Sequence, residues 1–225
     1  MGEISLRRRR IPALGDRDIY EIKLGDEFLM SSAFVEGEIA LADLALDAVA
    51  GENLRVVVGG LGLGYTAAAV LKNNRVRDLI VVEVLDTVIQ WHRQTLVPLG
   101  ATLTADPRCR FVLGNFFDIA TNPYKGFEPG KPPEPVDAIL LDIDHSPMAF
   151  LNERNSDFYT PPSLLRMTRH LRSGGVFAMW SNEAVDEDFL NLLSGVFATV
   201  DSHVISFDNP LQDTHSANTI YVTRR

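Results

Sequence analysis

Leu54-Arg55-Val56-Val57-Val58-Gly59-Gly60-Leu61-Gly62-Leu63-Gly64-Tyr65-Thr66 decides the fold of this chain. Its first five residues are too apolar for a strand with one wet face, so they predict a strand buried on both sides. Glycines follow at once, and a helix-like segment over 65–73 comes next. Apolar runs recur at 79–82, 111–113, 136–141 and 176–179, with helix-like segments at 86–97 and 160–172. Buried strands alternating with helices imply a parallel sheet covered on both faces. Near the end, 200–207 and 217–223 read as an antiparallel pair around the polar loop Asp208-Asn209-Pro210. The expected fold is a three-layer α/β sandwich around a mostly parallel, seven-stranded sheet.

Upstream, residues 18–32 alternate around Gly25-Asp26 and predict a β-hairpin. Ile39, Ala42, Leu46 and Val49 fall at helical spacing over 36–50, with Gly51 as the stop. The expected division is an N-terminal arm and hairpin over 1–35 and a ligand-binding domain over 36–225. Arg7 to Arg10 read as a solvated arm, and Ile11 to Asp16 are too short and too soon charged for a secretory signal. A cytoplasmic protein is expected. Residues 122–135 contain five prolines, which forbid a regular element and predict either a surface insertion or a flap over the site.

The chain has 225 residues, 46% hydrophobic and 23% charged, as in ordinary globular proteins, which excludes a disordered, collagen-like or coiled-coil chain. No apolar stretch approaches the ~20 residues that span a bilayer, so no membrane role is expected. Thirty acids against 21 bases give a net charge of −9, whereas a general nucleic-acid binder normally shows a basic face. Cys109 is the only cysteine and forms no internal disulfide; just before a strand, it reads as a small packing residue.

In open parallel sheets, ligands bind beyond the carboxyl ends of the strands, where strand order reverses. The residues just after each strand therefore carry the argument. After the first comes the turn with Gly60, Gly62 and Gly64, where the backbone turns sharply and approaches a ligand closely. After the second comes Glu83, 19 residues beyond Gly64, placed to accept hydrogen bonds from ribose hydroxyls. After the third come Asn115, whose amide suits an adenine edge, and Phe116, whose ring suits stacking on it. After the fourth come Asp142, Asp144 and His145. The ligand implied is a nucleoside. Gly62 to Ala67 satisfies the G-x-G-x-x-A of dinucleotide sites, but that frame begins several residues beyond the strand. The natural frame is Gly60-x-Gly62-x-Gly64.

That frame resembles the first motif of the class I S-adenosylmethionine-dependent methyltransferase superfamily. Within it the chain most resembles the spermidine synthase (aminopropyltransferase) family, from about residue 18 to 183. Val56 to Gly64 sits where that family has a strand followed by GGGDGG. Val82 to Ile89 is similar to its VEIDxxVI, Asp106 to Asn115 to DPRVxVxxGD, and Asp137 to Asp142 to DVIIxD. Phe158-Tyr159 and Leu171 to Val176 match FY and LxPGGV. The resemblance implies attack by a neutral amine on the carbon beside the sulfonium of decarboxylated S-adenosylmethionine. It makes Asp142 the proton acceptor and Glu83 the ribose ligand, and puts Asn115 in place of an adenine-binding aspartate. It also implies a homodimer.

The departures bear on the substrate. Gly62 replaces the aspartate that serves the aminopropyl end, and Gly37-Glu38 stands where a Tyr-Gln pair meets the diamine. His145 replaces the second aspartate of D-S-S-D-P, with Asp144 beside it. Glu36, Glu38 and Asp144 are the acids that remain for a dication, and loss of the acid at position 62 removes a clash with the carboxylate of intact S-adenosylmethionine.

Methyl transfer is thus a second expectation. Gly64-Tyr65-Thr66 and Asp142-Ile143-Asp144-His145 also resemble small cation-dependent O-methyltransferases, which carry GYS and DADK there. Those enzymes add an Asp-Asn pair after the next strand, where Met179-Trp180-Ser181-Asn182 offers at most Asn182, so no metal is expected. A non-catalytic nucleoside-binding protein of the same fold is the third. Asp142 is read as proton acceptor or as the cap of a turn, His145 as a functional or an ordinary surface histidine, and Trp180 as a wall of the substrate pocket or core packing. His92, His170, His203 and His215 show no interpretable arrangement in the sequence.

Overall fold

The computed structural model describes residues 3–211 and 214–225. Its large sheet is buried on both faces, and the alternation of each strand sorts its side chains between two cores. Val56 and Val58 of β4 (Leu54–Gly59) face one core while Val57 faces the other. Leu79 and Val81 oppose Ile80 and Val82 in β5 (Val76–Glu83), and Ala138 and Leu140 oppose Ile139 and Leu141 in β7 (Val136–Leu141). In β8 (Leu171–Ser181), Val176 and Ala178 oppose Phe177 and Met179. β6 (Cys109–Leu113), β9 (Thr199–Asn209) and β10 (Thr214–Arg224) complete the sheet, in the order β6-β5-β4-β7-β8-β10-β9. β4 through β8 run parallel, and β10 is antiparallel to both β8 and β9. This is the expected sandwich with its terminal antiparallel pair.

Helices α1 (Glu36–Ala48), α2 (Tyr65–Lys72), α3 (Asp86–Arg93) and α4 (Gly100–Ala105) cover the first core. On the second lie α5 (Phe116–Ala120), α6 (Pro161–Met167) and α7 (Glu187–Ser194), with an aromatic cluster that includes Phe127, Phe158 and Tyr159. The helix expected over 86–97 ends at Arg93, where Thr95 takes a positive φ of 57° and breaks the run before α4.

One expectation is corrected and one alternative is decided. Residues Arg7 to Arg10 are not an arm: they close β1 (Ile4–Arg10), which pairs with β2 (Asp18–Leu24), itself paired with β3 (Glu27–Ser31). The expected hairpin is thus the far side of a three-stranded sheet. Arg8 and Arg10 meet Asp18 at 2.5 and 3.0 Å, and Arg9 meets the buried Glu21 at 2.6 Å, so two acids of β2 pair with three arginines of the run. Of the two readings of residues 122–135, the surface insertion holds and the flap does not. Arg55, at the start of β4, pairs with Glu128 and Glu134 of that segment and with Asp78 at 3.1 Å. Phe127 is buried beside Phe116 and His170. The segment is therefore held at the amino ends of the strands, opposite the carboxyl ends where ligands bind.

Candidate functional site

Strand order reverses between β4 and β7, because the chain runs outward through β5 and β6 and then returns to the other side of β4. Backbone hydrogen bonds hold the strand ends level there. Gly60 donates to Val82 O, Asp142 to Gly59 O and Gly114 to Glu83 O, each at 2.9 Å. A cavity opens above these ends. Its lining includes Glu38, Gly60, Gly62, Glu83, Asn115, Phe116, Asp142, His145 and Trp180. Nine of the eleven residues expected from the sequence thus meet in one cleft. Gly64 and Asp144 do not.

The glycine turn is left-handed at three positions, with φ of 95°, 46° and 90° at Gly60, Gly62 and Gly64. Gly64 begins α2 and packs against Leu103 and His92 below the cleft. Glu83 holds the turn from the side: its carboxylate accepts from Leu61 N at 3.0 Å and from Leu85 N at 2.9 Å. Burial pushes its carboxyl up, while these backbone donors pull it down. Glu83 also lines the cleft, so the acceptor capacity that remains to it faces a ligand. Glu83→Gln keeps one acceptor and turns an NH2 towards a backbone donor. It should weaken nucleoside binding by about 1.5–3 kcal/mol in a calorimetric titration; an unchanged dissociation constant would exclude the contact.

His92, without an interpretable setting in the sequence, is fully buried below the turn and donates Nε2–H to Gly62 O at 2.9 Å. Burial lowers its pKa, so the neutral ring serves as a peg. The neighbouring Leu63 N–H donates to Met30 Sδ at 2.9 Å, and a side chain at position 62 would collide with that sulfur. Met30 of β3 thus fills the space beside Gly62.

Asn115 and Phe116 line the cleft and also have structural roles. Asn115 Oδ1 caps α5, accepting from Phe117 N at 2.9 Å and Asp118 N at 3.3 Å, which leaves only its NH2 for a ligand. Phe116 is 2% exposed, with centroids of Phe117, Phe127 and Phe158 at 5.6–6.0 Å and its ring against Gly59. Its faces belong to the core.

Asp142 Oδ2 accepts from Thr66 Oγ1 at 2.6 Å. Burial pushes its carboxyl up to about 6, opposed by that hydroxyl. Glu38, in the first turn of α1, is pushed up to about 8 by burial and then by the charge of Asp142. The folded chain therefore holds protons on this pair that the unfolded chain releases near the ordinary carboxylate range, and the contribution of the pair to stability falls as pH rises from about 4.5 to 8. Glu38→Gln should flatten the upper part of that fall in urea titrations; an unaltered slope would place Glu38 in water.

Asp144 is not in the cleft. It is 2% exposed and accepts from Leu151 N, Asn155 Nδ2 and Tyr159 OH at 2.8–2.9 Å. These bonds consume its carboxylate in tying down the segment after β7, so the expected catalytic part gives way to an anchor. His145 stands at the cleft with Nε2 3.4 Å from Glu27 Oε1. Trp180 serves in both readings: it lines the cavity, and it packs on the first core. Its indole N–H is buried without a partner, and Gly37 leaves room for the ring. Among the residues that the sequence reading missed are Ile22, Leu24, Leu29 and Met30, which roof the cleft from β2 and β3. Their alternation marked a strand, but nothing in it named the face that meets the site. Among the described residues, no group of three or more His, Cys, Asp or Glu is placed to hold a metal ion, and no helix is long and apolar enough to cross a membrane.

No family model matches the chain, and no curated protein matches it in sequence. Solved structures do match in three dimensions. Spermidine synthase from Thermotoga maritima superposes with a TM-score of 0.70 at 18% identity, over 97% of this chain and 68% of that one. A spermidine synthase in complex with the transition state analogue AdoDATO gives 0.72 at 19%, over 97% and 69%. Human methyltransferase-like protein 13 in complex with SAH gives 0.55 at 19%, over 83% and 78%. With the strand order and the cleft at its switch point, these likenesses give the chain the class I S-adenosylmethionine-dependent methyltransferase fold in its spermidine-synthase-like form.

Proposed function

We propose that the chain is a transferase that binds an adenosyl sulfonium donor along the ends of β4, β5 and β6 and moves an alkyl group from its sulfur to an amine. The observation that carries this reading is Asp142: its carboxylate, bonded to Thr66, faces the same cleft as Glu83 and the glycine turn. The neutral amine forms the new C–N bond as the C–S bond breaks, the sulfur keeps the electron pair as a thioether, and the proton passes from nitrogen to Asp142. A positioned base of this kind supplies about 10²–10⁴-fold. Glu83 takes the ribose hydroxyls, and the left-handed glycines let the backbone approach the sulfur end closely.

Aminopropyl transfer from decarboxylated S-adenosylmethionine is the form in keeping with the spermidine synthase likeness. One observation favours methyl transfer instead. Beside Gly62 the carbonyl is taken by His92, the next N–H by Met30 and the space by its sulfur, so no charged partner for an aminopropyl ammonium stands there. Calorimetric titration with S-adenosylmethionine, its decarboxylated form, methylthioadenosine and NAD tests both. Tighter binding of the decarboxylated form supports aminopropyl transfer, and tighter binding of the intact form supports methyl transfer. Binding without turnover supports a non-catalytic nucleoside-binding protein, and binding of none overturns the reading.

A further inference from the structure

We propose that the amine acceptor is a monoamine with an apolar body, seated beneath the β2–β3 roof with its nitrogen at Asp142 and Glu38, and not a diamine. The proposal rests on the transferase reading above and concerns the chemistry of the acceptor alone. Four titratable groups line the cleft: Glu38, Glu83, Asp142 and His145. Glu83 is bonded to the glycine turn, and His145 faces Glu27. Glu38 and Asp142 act on each other electrostatically and so form one anionic spot, enough for a single ammonium. Of the other acids, Glu36 acts on Glu38 from the exposed start of α1, and Glu27 meets His145 at the edge of the roof. Asp144 is consumed by three donors, and the exposed Glu36 accepts from Val35 N at 2.9 Å.

The roof itself, Ile22, Leu24, Leu29 and Met30, is hydrocarbon, while Asn152 and Asn155 line the cleft from the segment after β7. Pairing of β2 with β3 sets Ile22 opposite Met30 and Leu24 opposite Glu27. The roof therefore extends from Gly62, under Met30, to His145, beside Glu27. Ile143 and Leu151 face it from the segment after β7. A second ammonium under Ile22, Leu24, Leu29 and Met30 would lose its hydration with no carboxylate among those side chains to replace it, whereas a methyl group there would be buried favourably.

The test compares 1,4-diaminobutane with n-pentylamine, the same chain ending in a methyl group instead of a second amine. Calorimetric titrations are run on the full chain with and without methylthioadenosine. The expected result is binding of n-pentylamine at least about tenfold tighter than the diamine. Leu29→Glu, which adds a carboxylate to a half-buried roof position, should shift that ratio at least about tenfold towards the diamine. Equal or tighter binding of the diamine, binding of neither amine, or an unchanged ratio in Leu29→Glu would overturn the proposal. The nucleoside titration reads the underlying transferase assignment separately. A reversed amine order with methylthioadenosine bound removes this inference alone; no nucleoside binding with the amine order intact removes only the transferase reading.

Discussion

Asp142→Asn lowers turnover by about 10²–10⁴-fold and leaves nucleoside affinity nearly unchanged, the result expected if Asp142 receives the amine proton. The substitution is isosteric. Its Oδ1 can still accept from Thr66 Oγ1, so the end of β7 keeps its shape. What is lost is the ability to take up a proton. In the parent chain, turnover should rise with pH as Asp142, raised to about 6 by burial, becomes a carboxylate. The variant should lack that limb. Initial rates across pH, with nucleoside affinity measured on the same samples, decide the matter. Retained turnover would remove Asp142 from the chemistry, and an equal fall in affinity would make it a binding group.

Gly60→Ala costs about 2–5 kcal/mol of stability. Two effects add. The φ of 95° lies where a Cβ costs roughly 1–2 kcal/mol. The new methyl would also collide with the backbone oxygen of Asp142 and lie 3.1 Å from Ile143 Cγ1, a strain of about 1–3 kcal/mol. Neither strand end can withdraw, because Gly60 N is bonded to Val82 O and Asp142 N to Gly59 O. Gly174→Ala is the control, since φ there is 73° with nothing within 4 Å. It carries the backbone cost without the collision. Urea unfolding midpoints for the two variants separate the parts; equal losses would mean that β4 and β7 do not approach as closely as described.

Much of the fold was legible because burial on both faces leaves an unmistakable mark. Val56-Val57-Val58 and Ile139-Leu140-Leu141 have no polar alternation, which only a covered parallel strand tolerates. The helices α5 and α7 were not legible. α5 has five residues, too few to show a period, and α7 is held by the Asp186 cap on Phe189 N and by Phe189 and Leu193 in the second core. β1 was hidden by its composition: a row of arginines reads as a solvated arm until Asp18 and Glu21 of the neighbouring strand are seen beside it.

The site divides in the same way. Residues directly after buried strands are bound to reach the cleft, since strand direction and switch point determine where they emerge. That is why Gly60, Glu83 and Asp142 were identifiable from the chain alone. Side-chain direction a residue or two later is not determined by strand direction. Asp142 turns to Thr66 and the cleft, while Asp144 turns to Leu151, Asn155 and Tyr159. Sequence by itself therefore determined the layered fold and the class of groups at the strand ends, because both follow from periodicity and chain direction. Only the tertiary structure decided that Met30 fills the space at Gly62, that an apolar roof covers the cleft, and that Glu38 stands with Asp142. These meetings join segments far apart in the chain, and close packing, which no local pattern records, settles which atoms touch.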